Sequence, residues 1–216
     1  MSVRGSARVT PVARSARHLR AGLVRTIRKR QCVRMVVVAI GGSASVGKTT
    51  LSAALDFERV VHVDDLRGPS FIDTTPNVWR RPAMWLRDSL IAETAAVHHA
   101  IATEIEAMLV AGADGVIEGE GVEPRLCRRW PSTIVRPVYV IEDDADVLHA
   151  TFARRSSGAR FLSLRRAEQT AVVEMNRLYG AWLRDEAEAS GQAWIPSRPW
   201  ASLAGRLRSV TRAAAG

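Results

Sequence analysis

Short apolar runs rich in β-branched residues alternate along the chain with longer segments in which apolar residues recur at helical spacing. The runs have the length of strands, and their lack of alternating polar positions is typical of parallel strands that are buried on both faces. We predict five strands, at residues 35–40, 60–63, 115–119, 137–141 and 192–195. Strands that alternate with helices predict an α/β fold in which helices cover both faces of a five-stranded parallel sheet, in three layers.

Helices are predicted between these strands, at about residues 48–55, 84–111, 144–155 and 167–189, with a final basic helix after residue 200. The segment 84–111 has the pattern of one long helix with at most one break, and Gly112 is expected to end it in a left-handed backbone conformation. Asp144 is expected to cap the helix that follows it. Residues 66–82, which contain Gly, Pro, Asn and Thr, predict a loop.

The composition is typical of a soluble globular domain, because 47% of the residues are hydrophobic and both signs of charge occur. A chain of 216 residues is long enough for one domain with a sizeable core. No apolar run reaches the roughly 20 residues that a membrane-spanning helix needs, and no secretory signal follows the basic N-terminus. Cys32 and Cys127 are the only cysteines, which argues against a disulfide framework and favours a cytoplasmic protein without a membrane partner.

The formal net charge of +9 is concentrated at one end of the chain. Ten of the 31 basic residues lie in residues 1–34, which hold no acid, and this leaves 21 basic against 22 acidic residues in the domain predicted at 35–216. Three interpretations of the basic extension stay open: a disordered or partly helical arm for anionic surfaces, a solvated segment without a role, or a start assigned too early, because Met35 opens the first predicted strand. Since the extension lacks interleaved aromatic residues and binding motifs, we do not expect nucleic acid as a partner.

A glycine-rich motif follows the first predicted strand directly and precedes a predicted helix. It satisfies the P-loop pattern G-x-x-x-x-G-K-[S/T], and its residues are Gly42-Ser43-Ala44-Ser45-Val46-Gly47-Lys48-Thr49, with Thr50 next in the chain. Glycine permits the tight turn and lets backbone N–H groups approach phosphate closely, and the helix N-terminus adds partial positive charge. We therefore expect ATP to bind here, with Lys48 on the β- and γ-phosphates and the Thr49 hydroxyl on Mg²⁺.

Acidic residues follow two other predicted strands. Asp64 and Asp65 come at the end of the second strand, and Glu118 ends the third, with Glu120 two residues further on. Because ligands of open α/β sheets lie beyond the carboxyl ends of the strands, we predict that Asp64 takes the proton from an acceptor hydroxyl. Glu118 is predicted to help hold Mg²⁺, and Asp65, Glu118 and Glu120 are predicted to lie near the acceptor. The alternative is that these acids belong to ordinary turns.

Arginines are the next candidates. Five of them surround Ser156-Ser157-Gly158 within residues 154–166. This pattern predicts a mobile lid whose arginines stabilise the transferred phosphoryl group, with Arg154 and Arg160 as the leading candidates. A solvated basic face is the alternative interpretation.

Aromatic residues beside arginines suggest where the rest of the ligands bind. Trp79 and Arg81, which follow the second strand, are predicted to contact the acceptor, although packing explains a tryptophan equally well. After the fifth strand, Arg198 is predicted to stack on the adenine ring, and Trp200 is either a second stacking partner or a core residue.

Taken together, the P-loop ending in Gly47-Lys48-Thr49-Thr50, the His-Val-Asp-Asp step at Asp64 and the Ile-Glu-Gly step at Glu118 resemble the small-molecule kinases of the P-loop superfamily. The similarity is greatest to the uridine kinase and nicotinamide riboside kinase group and to proteins like 2-phosphoglycerate kinase, with chloramphenicol phosphotransferase a more distant parallel. The resemblance implies that Asp64 is the catalytic base and that residues 154–166 form the lid. Leu66-Arg67-Gly68 stands where nucleoside kinases carry aromatic residues, which argues against a nucleoside acceptor.

The sequence therefore predicts an ATP- and Mg²⁺-dependent kinase that moves the γ-phosphate to a hydroxyl of a small molecule such as a metabolite, a nucleoside-like compound or an antibiotic. A P-loop ATPase or nucleotide-gated switch, with the basic extension binding nucleic acid or a partner, is the alternative function. The acceptor, the choice between ATP and GTP and the oligomeric state stay open, a homodimer included.

Overall fold

The computed structural model describes residues 36–155 and 158–213, so the predictions for the basic extension at 1–34 lie outside the described residues. Five strands form one sheet in the order β2-β3-β1-β4-β5, and each neighbouring pair is parallel. The strands are β1 (Val37–Gly42), β2 (Arg59–His62), β3 (Gly115–Glu118), β4 (Val135–Ile141) and β5 (Ala193–Pro196). The α/β class and the five-stranded parallel sheet are confirmed.

Helices connect these strands. They are α1 (Lys48–Ala54), α2 (Phe71–Thr74), α3 (Ala83–Ala96), α4 (His98–Ala111), α5 (Pro124–Cys127), α6 (Ala145–Arg154), α7 (Gly158–Leu162), α8 (Arg166–Ala189) and α9 (Trp200–Ala213). The long helical segment is broken once, at Val97, and Gly112 ends it with a φ of 68°. Asp144 caps α6 by accepting hydrogen bonds from the backbone N–H groups of Asp146 and Val147. None of the described helices is long and apolar enough to cross a membrane.

The predicted loop at 66–82 contains local structure that its composition did not indicate. Short 3-10 helices occupy Val63–Leu66 and Val78–Arg80, and α2 lies between them. Asp64 and Asp65 therefore belong to a helical turn and not to the end of β2 itself. The turn keeps both carboxylates close to the strand end, because it begins immediately after His62.

Alternating strand residues face opposite helical layers, and this alternation buries the sheet on both sides. On one face, Val37 and Ala39 of β1 pack with residues of α4 and α5. On the other face, Val38 and Ile40 pack with residues of α1 and α9. Helices α3 and α8 join the first face at β4, where Tyr139 contacts them. Helices thus cover both faces, as a three-layer arrangement requires.

The strand register determines which side chains meet at the carboxyl edge of the sheet. Glu118, the last residue of β3, is in register with Ile40 of β1 on one side and with His62 of β2 on the other. The loop after β1 and the turn after β2 therefore flank Glu118. The predicted site residues from three separate chain segments converge here, at the edge where open α/β sheets bind ligands.

Candidate functional site

The glycine-rich loop, residues 42–49, leaves β1 in conformations that need small residues. Gly47 has a φ of 98°, and a Cβ atom there would collide with the ring of Trp200. Gly42 has a φ of 154°, and a Cβ atom on it would lie 2.7 Å from the carbonyl oxygen of Val140. Ser45 is left-handed as well, with a φ of 68°, a conformation that costs a non-glycine residue roughly 1–2 kcal/mol. Such strained backbone is concentrated at functional sites.

Some residues of the loop face the core and others face the cleft. Gly42, Ser43 and Val46 are the buried residues of the loop. The predicted binding residues that line the cleft are Ala44, Ser45, Gly47, Lys48, Thr49 and Thr50. The N–H group of Ala44 donates to Oδ1 of Asn176 at 3.0 Å, which fastens the loop to α8. The ammonium group of Lys48 folds back and donates to the carbonyl oxygen of Ser43 at 2.7 Å.

A chain of hydrogen bonds joins α1 to the neighbouring strands. The Thr49 hydroxyl donates to Oε1 of Glu118 at 2.8 Å, and the same carboxylate oxygen lies 2.7 Å from Nδ1 of His62. Glu118 is 4% exposed. A hydroxyl and a carboxylate in direct contact are oxygen ligands of the kind that Mg²⁺ binds, usually with one or two protein carboxylates and with waters and phosphates completing the shell. Thr49 and Glu118 therefore fit the predicted metal site.

Lys48 titrates under opposing influences. Burial lowers the pKa of Lys48 below its ordinary value of 10.5, and this is the largest influence. The carboxylates of Glu120, Glu118 and Asp64 oppose the shift, while the positive charge of Arg155 adds to it. A partly buried ammonium group with a shifted pKa, in a cleft with several charges, marks a candidate functional site.

The loop, the turn after β2 and the end of β3 enclose a cleft of about 900 Å³. Asp64, Asp65, Glu118 and Glu120 all line it, so the structure brings together the four carboxylates that the sequence singled out. Its lining also holds three cationic side chains, those of Lys48, Arg67 and Arg155. The two signs nearly balance, so the lining has no strong excess of either charge.

Arg67 connects the acidic side chains of the cleft, and the sequence analysis did not assign it a role. Its side chain is 13% exposed, and its Nη2 atom lies 3.1 Å from Oδ1 of Asp64. Its Nη1 atom lies 3.5 Å from carboxylate oxygens of both Glu93 and Glu120. The carboxylate of Asp64 is itself 82% exposed, so Arg67 orients it at the surface of the cleft.

The arginines of the predicted lid are placed differently from one another. Arg155 lines the cleft, and its Nη1 atom donates to the Ser45 hydroxyl at 3.1 Å. Arg154 is not among the lining residues of the cleft, although both arginines are exposed. The difference arises because α6 ends at Arg154, whereas Arg155 has an extended backbone with a ψ of 162°. Arg160 lies on α7, which occupies part of the segment predicted to be a flexible loop.

A second, smaller cavity of about 270 Å³ adjoins the cleft. Ala44, Ile72, Glu120 and Arg155 line both spaces. Most of the remaining lining is apolar, and Trp79 belongs to it. Trp79 thus lines the cavity next to the cleft, and its contact with an acceptor stays a prediction. Arg81 lines neither cavity, and its guanidinium group packs on the Trp85 ring at 5.5 Å.

Trp200 lines the cleft, whereas Arg198 does not. Trp200 packs against Gly47. The guanidinium group of Arg198 stacks on the Trp200 ring at 4.3 Å and donates to the Thr151 hydroxyl at 3.1 Å. Trp200 therefore forms part of the cleft wall, with Arg198 behind it. Adenine stacking by Arg198 stays a prediction.

Two residues of the site, Asn176 and Arg67, were not predicted from the sequence, although the pattern around Asn176 indicates a special position. Asn176 is a buried polar residue in the otherwise apolar stripe of α8 that contains Val172, Tyr179 and Leu183. An amide at such a position needs partners, and it finds them in Ala44 and Val172. No comparable pattern points to Arg67, because its role depends on where the turn after β2 carries it.

Comparison with known proteins does not extend these conclusions. No protein-family model matches the chain, and no curated protein matches it significantly. The fold and site define an α/β protein whose parallel sheet carries a glycine-rich loop, a partly buried lysine and several carboxylates at one edge.

Proposed function

We propose that this protein is a P-loop kinase that transfers the γ-phosphoryl group of ATP to a hydroxyl group of a small molecule. The observation that carries the proposal is the contact between Thr49 and Glu118, at 2.8 Å, beside Lys48 in the same cleft. It joins a phosphate-binding loop to an acidic neighbouring strand, and this combination binds a nucleotide together with a metal ion.

Each group of residues in the cleft has a separate role in this proposal. The loop and Lys48 hold the phosphate chain, and Thr49 and Glu118 hold Mg²⁺, which when bound neutralises charge on the phosphates. Arg155, already in contact with Ser45 of the loop, stabilises charge that develops on the phosphoryl oxygens. Arg154 and Arg160 do not line the cleft, and their contact with the phosphoryl group stays a prediction.

The transfer itself requires a proton acceptor. The acceptor hydroxyl oxygen forms a bond to the γ-phosphorus while the bond from that phosphorus to the β–γ bridging oxygen breaks, and ADP leaves. The hydroxyl proton passes to a carboxylate of the cleft, Asp64 or Glu120. Asp64 is oriented by Arg67, and Glu120 faces the adjoining cavity.

The test is an acceptor search. The full chain is incubated with Mg·ATP and pools of metabolites and antibiotics, and products are screened by mass for an added phosphoryl group. We expect one class of alcohol to gain phosphate with wild type and not with Lys48→Met. Rapid ATP hydrolysis that needs no acceptor, and that Asp64→Asn and Glu120→Gln leave unchanged, would contradict the proposal and favour an ATPase.

A further inference from the structure

The second cavity has a composition that sets it apart from the cleft it adjoins. Nine of its thirteen lining residues are apolar. The rings of Phe152 and Phe161 stack within it at 5.4 Å between centroids, and Trp79, Leu164 and Met175 complete much of the wall. Such a surface recognises an apolar body, above all one with a ring.

The polar groups of this cavity are placed unevenly. The amide of Asn176 is occupied, since it accepts from Ala44 at 3.0 Å and donates to the carbonyl oxygen of Val172 at 2.8 Å. It therefore does not offer a free amide to a sugar or a base. Glu120 and Arg155 lie in the wall that the cavity shares with the cleft, whereas Arg160 lines the cavity alone. Glu120 is the one carboxylate among the described residues that line the cavity, so a ligand hydroxyl group that contacts a carboxylate must point toward the cleft.

Helix α7 forms part of the cavity wall. Phe161 of α7 is 7% exposed, and Leu164 follows the helix on the same wall. Gly158 begins α7 so close to α6 that a Cβ atom would collide with the carbonyl oxygen of Ala153. Packing of these two helices thus builds the apolar wall beside Arg155, which is the arginine that contacts the glycine-rich loop.

We propose that the phosphate acceptor is a compact alcohol with an apolar, ring-bearing body, which the second cavity holds while the hydroxyl group lies beside Glu120. That the ligand accepts a phosphoryl group rests on the proposed function. Its chemical class rests on the lining of the cavity alone. Glu120 is the carboxylate among the described residues that lines both spaces, so it is positioned to contact that hydroxyl group.

The size of the cavity limits the ligand, and desolvation disfavours the more polar alcohols. At about 270 Å³, the cavity is just below the range of about 300–1,000 Å³ that is typical of ligand pockets, so it suits a single ring with a short side chain. A sugar or polyol would bury hydroxyl groups against aromatic and aliphatic walls, and each unpaired one costs roughly 1–3 kcal/mol.

The test measures binding without nucleotide, using 2-phenylethanol as the apolar probe and ribose and glycerol as the polar ones. Saturation-transfer NMR on the full chain gives the affinities. We expect 2-phenylethanol to bind wild type and Leu164→Trp to weaken it by about tenfold or more, because the added indole fills the cavity. The matched control is Leu162→Trp, since Leu162 is 53% exposed and does not line the cavity. Melting curves establish that both variants fold.

The outcomes separate this inference from the proposed function. If 2-phenylethanol does not bind, or if Leu164→Trp and Leu162→Trp bind it equally, the cavity does not select apolar alcohols. If ribose or glycerol is phosphorylated at rates that Leu164→Trp leaves unchanged, the function stands and this inference is overturned. If apolar alcohols bind in a Leu164-dependent way but none of them gains phosphate from Mg·ATP, the assignment of the cavity is supported and the kinase proposal fails.

Discussion

The cleft at the carboxyl edge of the sheet and the cavity beside it are lined by different kinds of residue. The cleft holds about 900 Å³ and is lined by four carboxylates and three cations, whereas the cavity holds about 270 Å³ and has mostly apolar walls. They meet at Ala44, Ile72, Glu120 and Arg155. One space can therefore recognise charge while the next recognises shape.

This contrast bears on the choice between the proposed transferase and a hydrolase. An ATPase needs room for a water molecule next to the phosphate, and a cleft alone supplies that. A mostly apolar space that adjoins the cleft is suited to holding a second substrate beside the reacting phosphate. We therefore expect substitutions that change charge to alter Mg·ATP binding in the cleft, and substitutions that change side-chain volume to alter alcohol binding in the cavity. Each kind of substitution should have little effect on the other ligand.

The largest expected effect is that of Lys48→Met. Losing a charge-assisted hydrogen bond to phosphate costs roughly 1.5–3 kcal/mol, so Mg·ATP should bind about 10- to 100-fold more weakly. Isothermal titration calorimetry measures this affinity. The phosphoryl transfer rate should fall by about 100- to 1,000-fold. Binding of 2-phenylethanol to the cavity should stay at the wild-type level. Unchanged Mg·ATP affinity would remove Lys48 from the phosphate site.

The next largest effect is expected from Glu118→Gln. The variant keeps the shape of the side chain but loses the charge that helps hold Mg²⁺, so the Mg²⁺ concentration for half-maximal ATP binding should rise by about tenfold. Glu104→Gln is the matched control, because Glu104 pairs with Arg59 at the opposite end of β2. An equal response of the two variants would show that Glu118 does not serve the metal.

A smaller effect is expected from salt. Raising KCl from about 0.05 to 0.5 M shortens the Debye length, so Mg·ATP should bind a few-fold more weakly. Apolar burial is not screened, and the affinity for 2-phenylethanol should stay constant or increase. If both ligands respond to salt in parallel, the division between a charged cleft and an apolar cavity is wrong.

The smallest effect is a pH dependence of stability. Because the pKa of Lys48 lies below 10.5 in the folded protein, the unfolded chain holds this proton more tightly between the two pKa values. The free energy of unfolding of the nucleotide-free protein should therefore rise with pH in that window, relative to Lys48→Met. Urea unfolding of both proteins across that window measures this difference. A constant or falling difference would contradict the pKa assignment.

The hydrophobic pattern was sufficient to predict the sheet, and the position of motifs after the strands was sufficient to predict several of the residues that line the cleft. The apolar runs identify all five strands, and Asp64, Glu118 and the glycine-rich loop lie where parallel strand ends must meet. This works because each strand of a parallel sheet delivers its carboxyl end to one edge, whatever the intervening helices do.

The second cavity could not be predicted in the same way. Its walls come from segments as far apart as Ile72, Leu90, Phe152 and Met175. Helical periodicity indicates which residues are buried, but not that their packing leaves a space. The choice between Arg154 and Arg155 has a similar cause, because it depends on the residue at which α6 ends.

Phosphorus NMR of the γ-phosphoryl group tests the central claim most directly. With Mg·ATP and an alcohol that binds in the cavity, we expect ADP and a phosphate ester to accumulate in equal amounts while inorganic phosphate stays low. In Lys48→Met we expect both products to form about 100- to 1,000-fold more slowly. Inorganic phosphate that accumulates in step with ADP, at the same rate with and without alcohol and in Asp64→Asn and Glu120→Gln, would contradict the central claim.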